Sequence, residues 1–178
     1  MTVLIAALWG FSEATLFFIV PDVFLTVVAL RDRRAALLCC GTAVAGALAG
    51  GLLLYRWGKA DPSGAASALL AVPAIGQGMI QDVRNSLASR GLVALFLGPL
   101  KGTPYKIYAV ASGEMGVSLP LFLLVSIPAR GVRFLAVTLA ASWASRGPLA
   151  SWPLARKRAL AVALWTVFYA AYFALKRN

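Results

Sequence analysis

The sequence predicts an all-α integral membrane protein. Its expected parts are two re-entrant helical hairpins and about three spanning helices, arranged as pseudo-symmetric, inverted-repeat halves. Three observations carry this. Of the 178 residues 61% are apolar and 13% charged, against about a quarter charged in soluble domains, and mean hydropathy is +0.82. Residues 35–55, 119–143 and 159–175 form apolar runs of about the length a bilayer requires. Two more apolar runs, 3–30 and 92–115, are broken in their middles by prolines and charges. The whole chain, 1–178, reads as a single membrane domain.

The first broken run carries Glu13 and the pair Pro21-Asp22. Pro21 lacks a backbone donor and disfavours helix at Val20. A kinked span is one reading. A re-entrant hairpin is the other, entering over 3–18, turning near Val20-Pro21-Asp22 and leaving over 23–30. Each limb is too short or too polar to span comfortably. Irregular backbone at that depth needs protein or water around it. Residues 1–9 have no basic n-region, so no cleavable signal peptide is expected.

Residues 31–34 form a polar turn before the 35–55 span. That span is rich in small residues, and Gly46-x-x-x-Gly50 permits close helix approach. Packing within the chain is the favoured use of this face, and homo-oligomerisation is left open. Cys39 and Cys40 are adjacent, a poor disulfide pair, and are read as packing residues. Residues 56–75 read as an extramembrane connection with a turn at Asp61-Pro62-Ser63-Gly64. Residues 77–90 place Met79, Val83 and Leu87 on one face, an amphipathic helix at the membrane interface or an ordinary surface helix.

The second broken run takes its turn from Gly98, Pro99, Gly102 and Pro104 and carries Lys101 and Lys106. Gly116 and Ser118 make a turn into the 119–143 span, which Pro128, Arg130 and Arg133 interrupt. A polar loop is expected over 144–158. The last span, 159–175, offers Trp165, Tyr169 and Tyr172 as interfacial anchors, and Lys176-Arg177 closes the chain. Aligning Pro21 with Pro104 brings 31–34 level with 114–117, and 35–55 level with 118–138. The match is of layout, not identity. Such duplicated, interrupted segments point to a transporter-like site near the midplane.

The formal charge is +11, but the basic residues cluster beside apolar runs. That suits topology and anionic headgroups rather than nucleic acid. One side gathers Arg31, Arg33, Arg34, Arg146, Arg156, Lys157 and Arg158. The other gathers Arg56, Lys59, Arg84, Arg90, Lys176 and Arg177. This balance does not fix orientation. The chain has no histidine, which excludes His-dependent catalysis and the common His metal sites. With no nucleophile–base set, no enzyme, catalytic residue, metal or cofactor is expected.

The expected site joins Glu13 and Asp22 to Lys101 and Lys106. Arg130 and Arg133, three apart on one helix face, belong to it or snorkel to an interface. A charge at membrane depth is unfavourable by roughly 2.5–3.5 kcal/mol on insertion scales, so such residues usually mark a pathway. Lysine and arginine bind anionic headgroups, and desolvated carboxylates can carry protons. The other reading has Glu13 and Asp22 simply neutralise Lys101 and Lys106 and lock the hairpins together. Glu114 reads as interfacial.

The chain resembles the DedA superfamily, also called the VTT or SNARE-associated Golgi protein family, over roughly residues 8–145. The resemblance rests on Glu13, on Pro21-Asp22, and on a small-residue span ending Tyr55-Arg56-Trp57-Gly58. It also rests on an amphipathic helix leading into Gly98-Pro99-x-Lys101-Gly102-x-Pro104-x-Lys106, then Ala111-x-Gly113. It implies two re-entrant hairpins meeting in the bilayer, an inverted repeat, and lipid translocation or scrambling. Undecaprenyl phosphate or phosphatidylethanolamine recycling, and maintenance of the proton-motive force, are the associated roles. Glu13 and Asp22 match the family's acidic pair, whereas Lys101 and Lys106 stand where many members carry arginines. The expected function is thus a lipid transporter or scramblase for an anionic headgroup, possibly proton-coupled, multi-pass in a bacterial inner membrane. Its rivals are a proton-coupled small-solute or ion transporter and a structural protein with paired buried charges.

Overall fold

Prolines and capping residues divide the apolar runs into the helices that form. The computed structural model describes residues 1–176; of the closing basic pair, Arg177 lies outside them. The first broken run gives α1 (Thr2–Ala14) and α2 (Asp22–Ala29). Next come α3 (Arg33–Ala60), α4 (Pro62–Leu70) and α5 (Gln77–Arg90). The second broken run gives α6 (Leu92–Leu100) and α7 (Tyr105–Glu114), followed by α8 (Leu119–Arg146) and α9 (Leu154–Lys176). Among the described residues all regular structure is helical.

Three helices, α3, α8 and α9, are long and apolar enough to cross a membrane. At about 1.5 Å per residue, the 28 residues of α3 and of α8 extend well past a hydrocarbon core of about 30 Å. Both ends of α3 and the C-terminal end of α8 carry charged residues. Asp32 starts α3 by accepting hydrogen bonds from the Arg34 and Ala35 N–H groups at 2.8 and 3.2 Å.

The connection over 56–75 differs from the expected loop. Helix α3 continues to Ala60, and Asp61 then caps α4, accepting from the Gly64 N–H and the Ser63 hydroxyl, both at 2.9 Å. An Asp followed by Pro is a helix start as readily as a turn. The Gly64 N–H, chiefly, holds the Asp61 carboxyl below the usual carboxylate range. Leu69, Val72 and Ile75 then turn inward and join the main apolar core.

Two other boundaries move. Helix α8 runs straight through Pro128 to Arg146, so the expected 144–158 loop shrinks to 147–153. Helix α5 buries Ile80, Val83 and Leu87, a face set at i, i+3, i+7 rather than every fourth residue. That face seats it on α6 and α7.

The long helices serve as two spines. Helix α3 is flanked by α1 and α7, and α8 by α2 and α6, so each spine holds one limb of each broken run. The small residues of α3 make this closeness possible. A Cβ on Gly46 would stand 1.9 Å from the Ala7 carbonyl oxygen, and one on Gly113 of α7 would stand 2.0 Å from that of Tyr55. The Gly46-x-x-x-Gly50 face thus packs within the chain. Cys39 and Cys40 are buried and unbridged, with Cys40 Sγ 3.0 Å from the Thr138 hydroxyl.

Candidate functional site

The site assembles around the break between α1 and α2. Residues 16–21 leave the helical ladder, and three other elements satisfy their backbone. The Trp9 indole of α1 donates to the Ile19 carbonyl at 2.9 Å. The Val20 N–H donates to the Tyr169 hydroxyl of α9 at 2.9 Å. The Lys106 ammonium of α7 donates to the Phe17 carbonyl at 2.7 Å. This is the protein-lined environment that irregular backbone needs away from water. Pro21, fully buried, sets the N-terminus of α2.

The break between α6 and α7 is held differently. The Gly98 carbonyl accepts from the N–H groups of both Lys101 and Thr103. Gly102 adopts φ +92, in the region that favours glycine. A Cβ on Gly98 would lie 2.1 Å from the Tyr108 hydroxyl oxygen. Pro99 closes the last turn of α6, and Pro104 precedes the first residue of α7. The two breaks meet through Lys106 and Phe17.

The ion pairs differ from the expected ones. Glu13 pairs with Arg130, and Asp22 with Arg133 at 2.5 Å. The one-turn spacing on α8 presents the two arginines to the two limbs of the first break. Neither lysine pairs with a carboxylate among the described residues. Lys106 is 2% exposed and is held by the Phe17 carbonyl, while Lys101 is exposed at the second break. The reason is positional. Helix α8 lies along α2 and brings its arginines level with Glu13 and Asp22, whereas the tight 98–103 turn leaves Lys101 outside.

Arg130 is enclosed. Its guanidinium carbon lies 5.2 Å from the Tyr105 ring centre and 4.8 Å from that of Phe134, geometry that suits a desolvated cation. The Tyr105 hydroxyl lies 2.9 Å from that of Ser126. Arg130 Nε and Asp22 Oδ1 are buried without a hydrogen-bond partner, and the Asp22 Oδ2 meets Arg133 alone. Glu114 pairs with Arg84 at 2.9 Å and ties α7 to α5.

Glu13, Lys106, Arg130 and Arg133 line one cavity of about 90 Å³, with Tyr105 and Tyr169 among its aromatic walls. Beyond Arg133 lies an open groove of about 740 Å³ between α6, α8 and α9. It is lined by Asp22 and Lys101 and by apolar side chains including Leu100, Val132, Leu164 and Trp165. On the other flank, Ile75 and Thr103 also line an opening of about 710 Å³ against α5.

The α9 aromatics, expected as interfacial anchors, face the protein. Tyr169 serves the first break, the Trp165 indole reaches the Thr26 hydroxyl at 3.3 Å, and Phe18 packs on Tyr169 and Tyr172. The signal was present, because 165, 169 and 172 share one helix face. Among the described residues no group of three His, Cys, Asp or Glu forms. No family model, curated protein or solved structure matches the chain.

Proposed function

We propose that the chain carries an anionic lipid headgroup across the bilayer, as a transporter or scramblase. The observation that supports this is a buried ammonium without a carboxylate partner. Lys106 uses one of its three donors on Phe17, and it shares a cavity with Arg130 and Arg133. The adjoining groove is apolar on its walls and cationic where Arg133 and Lys101 line it. A phosphate-bearing headgroup fits the first chemistry and an acyl or prenyl chain the second. Two features favour the inverted-repeat reading, with re-entrant hairpins of DedA/VTT type. The broken runs divide their limbs between two spines, and the first break is enclosed by protein. A bacterial inner membrane is the setting this implies.

The test is transbilayer movement of a fluorescent anionic lipid in proteoliposomes. Lys106→Ala and Lys101→Ala should each slow it, Lys106→Ala more strongly, while both proteins remain monodisperse and helical. Full movement by both variants refutes the reading.

A second reading rests on Asp22. Its carboxylate is buried, meets no cation but Arg133 among the described ion pairs, and lines the groove beside it. Protonation of that carboxylate would free Arg133 for a ligand and couple transport to protons. Lipid movement in Asp22→Asn should then lose its response to an imposed pH gradient. A response equal to that of the wild-type chain removes the coupling.

A further inference from the structure

A second cluster of charge lies at the N-terminal end of α3, away from the cavity. There the ends of four helices converge. The Ser145 hydroxyl of α8 donates to the Leu30 carbonyl after α2 at 2.8 Å, and Lys157 of α9 donates to the Ser145 carbonyl at 2.7 Å. The convergence brings together the seven cations of segments 31–34 and 146–158, against Asp32 as the one carboxylate in those segments. Asp32 is already engaged, since its Oδ1 caps α3.

Within this surface Arg33 and Arg146 line a single depression of about 510 Å³ with Leu139, Ser142, Trp143 and Gly147. No carboxylate lines it, and among the described residues neither arginine has an acidic partner. Two guanidinium groups beside one depression repel unless an anion stands between them, and their forked donors suit phosphate. Arg33 is also the first residue of α3, where the helix dipole adds positive potential. The lower wall is apolar. Leu139 is 40% and Trp143 71% exposed, and an exposed tryptophan beside arginines at a span's end marks headgroup depth. A free phosphate would use only the upper half of this depression, whereas a lipid uses both.

We propose that Arg33 and Arg146 hold the phosphate of one anionic phospholipid, whose chains lie along Leu139 and Trp143, as a site separate from the central cavity. It does not depend on lipid transport, because neither arginine lines the central cavity.

The full-length protein, loaded with phosphatidylglycerol or phosphatidylcholine, is examined by native mass spectrometry. The wild-type chain should keep one phosphatidylglycerol under activation that strips phosphatidylcholine. Arg33→Gln/Arg146→Gln should weaken that binding by roughly thirtyfold, the effect of two interfacial arginines. Arg31→Gln/Arg34→Gln removes the same charge beside the depression and should change it little. Equal loss in both double variants would mean diffuse attraction and overturn the site, as would no loss in the first. The wild-type protein gives an independent readout. A photoreactive phosphatidylglycerol should label residues 139–147, and labelling confined elsewhere refutes the assignment. Displacement of the lipid by inorganic phosphate alone would refute a lipid-specific site.

Discussion

The two broken runs solve one problem in different ways. The first, between α1 and α2, is fastened from outside. Arg130 and Arg133 hold its acids, and Trp9, Lys106 and Tyr169 hold its backbone. The second, between α6 and α7, is fastened largely by itself, through the Gly98 carbonyl and the positive φ of Gly102. The difference assigns work to the charges. The acids of the first run are engaged in ion pairs, while among the described residues neither lysine of the second meets a carboxylate, Lys106 being held by a backbone carbonyl and Lys101 standing exposed.

The largest effect should come from breaking an external fastening. Removing one partner of a buried ion pair destabilises by about 3–5 kcal/mol, so Glu13→Ala or Arg130→Ala should lower the melting temperature sharply in detergent. The exchanged pair Glu13→Arg/Arg130→Glu should recover part of that loss. If the single variants melt like the wild type, the contrast between the runs fails.

Lys106→Met comes next. It leaves the Phe17 carbonyl unpartnered, a penalty of about 1–3 kcal/mol, and should abolish lipid movement well beyond what that loss explains. Lys101→Met should keep full stability and lose only part of the movement. Equal effects of the two would erase the distinction between a buried and an exposed lysine.

Gly102→Ala probes the self-fastened turn. A left-handed φ costs an L-residue about 1–2 kcal/mol, and the loss should appear as a modest fall in melting temperature with the ion pairs of the first run unaffected.

Asp61→Ala should have the smallest effect and serves as a control outside both runs. The folded carboxyl sits below its ordinary range because the Gly64 N–H stabilises the charged form. Its contribution is therefore present above the unfolded pKa and is lost as pH falls through the lowered folded value. The gap in melting temperature between wild type and variant should be open at neutral pH and close in acid. A gap independent of pH would contradict the cap.

Much of the helical layout was legible in the sequence. The apolar runs and the α5 segment form helices and the two broken runs are interrupted near their prolines, because apolar length, proline and periodicity act locally. The Asp61-Pro62 step was misread because one local pattern serves both a turn and a helix start. Six charged residues also stand out in the sequence, since each interrupts an apolar run.

Their pairing was not legible. Nothing in the spacing tells Glu13 to choose Arg130, 117 positions away, over Lys101 or Lys106. The choice depends on α8 lying along α2 and on glycines 10, 46 and 113 letting backbones approach closely. The sequence by itself determined where the chain breaks and which charges lie in apolar runs, because helix formation and hydropathy are read over a few neighbouring residues. Only the tertiary structure decided which of the described charges pair with one another, because ion pairing at short range is set by how helices distant in sequence dock.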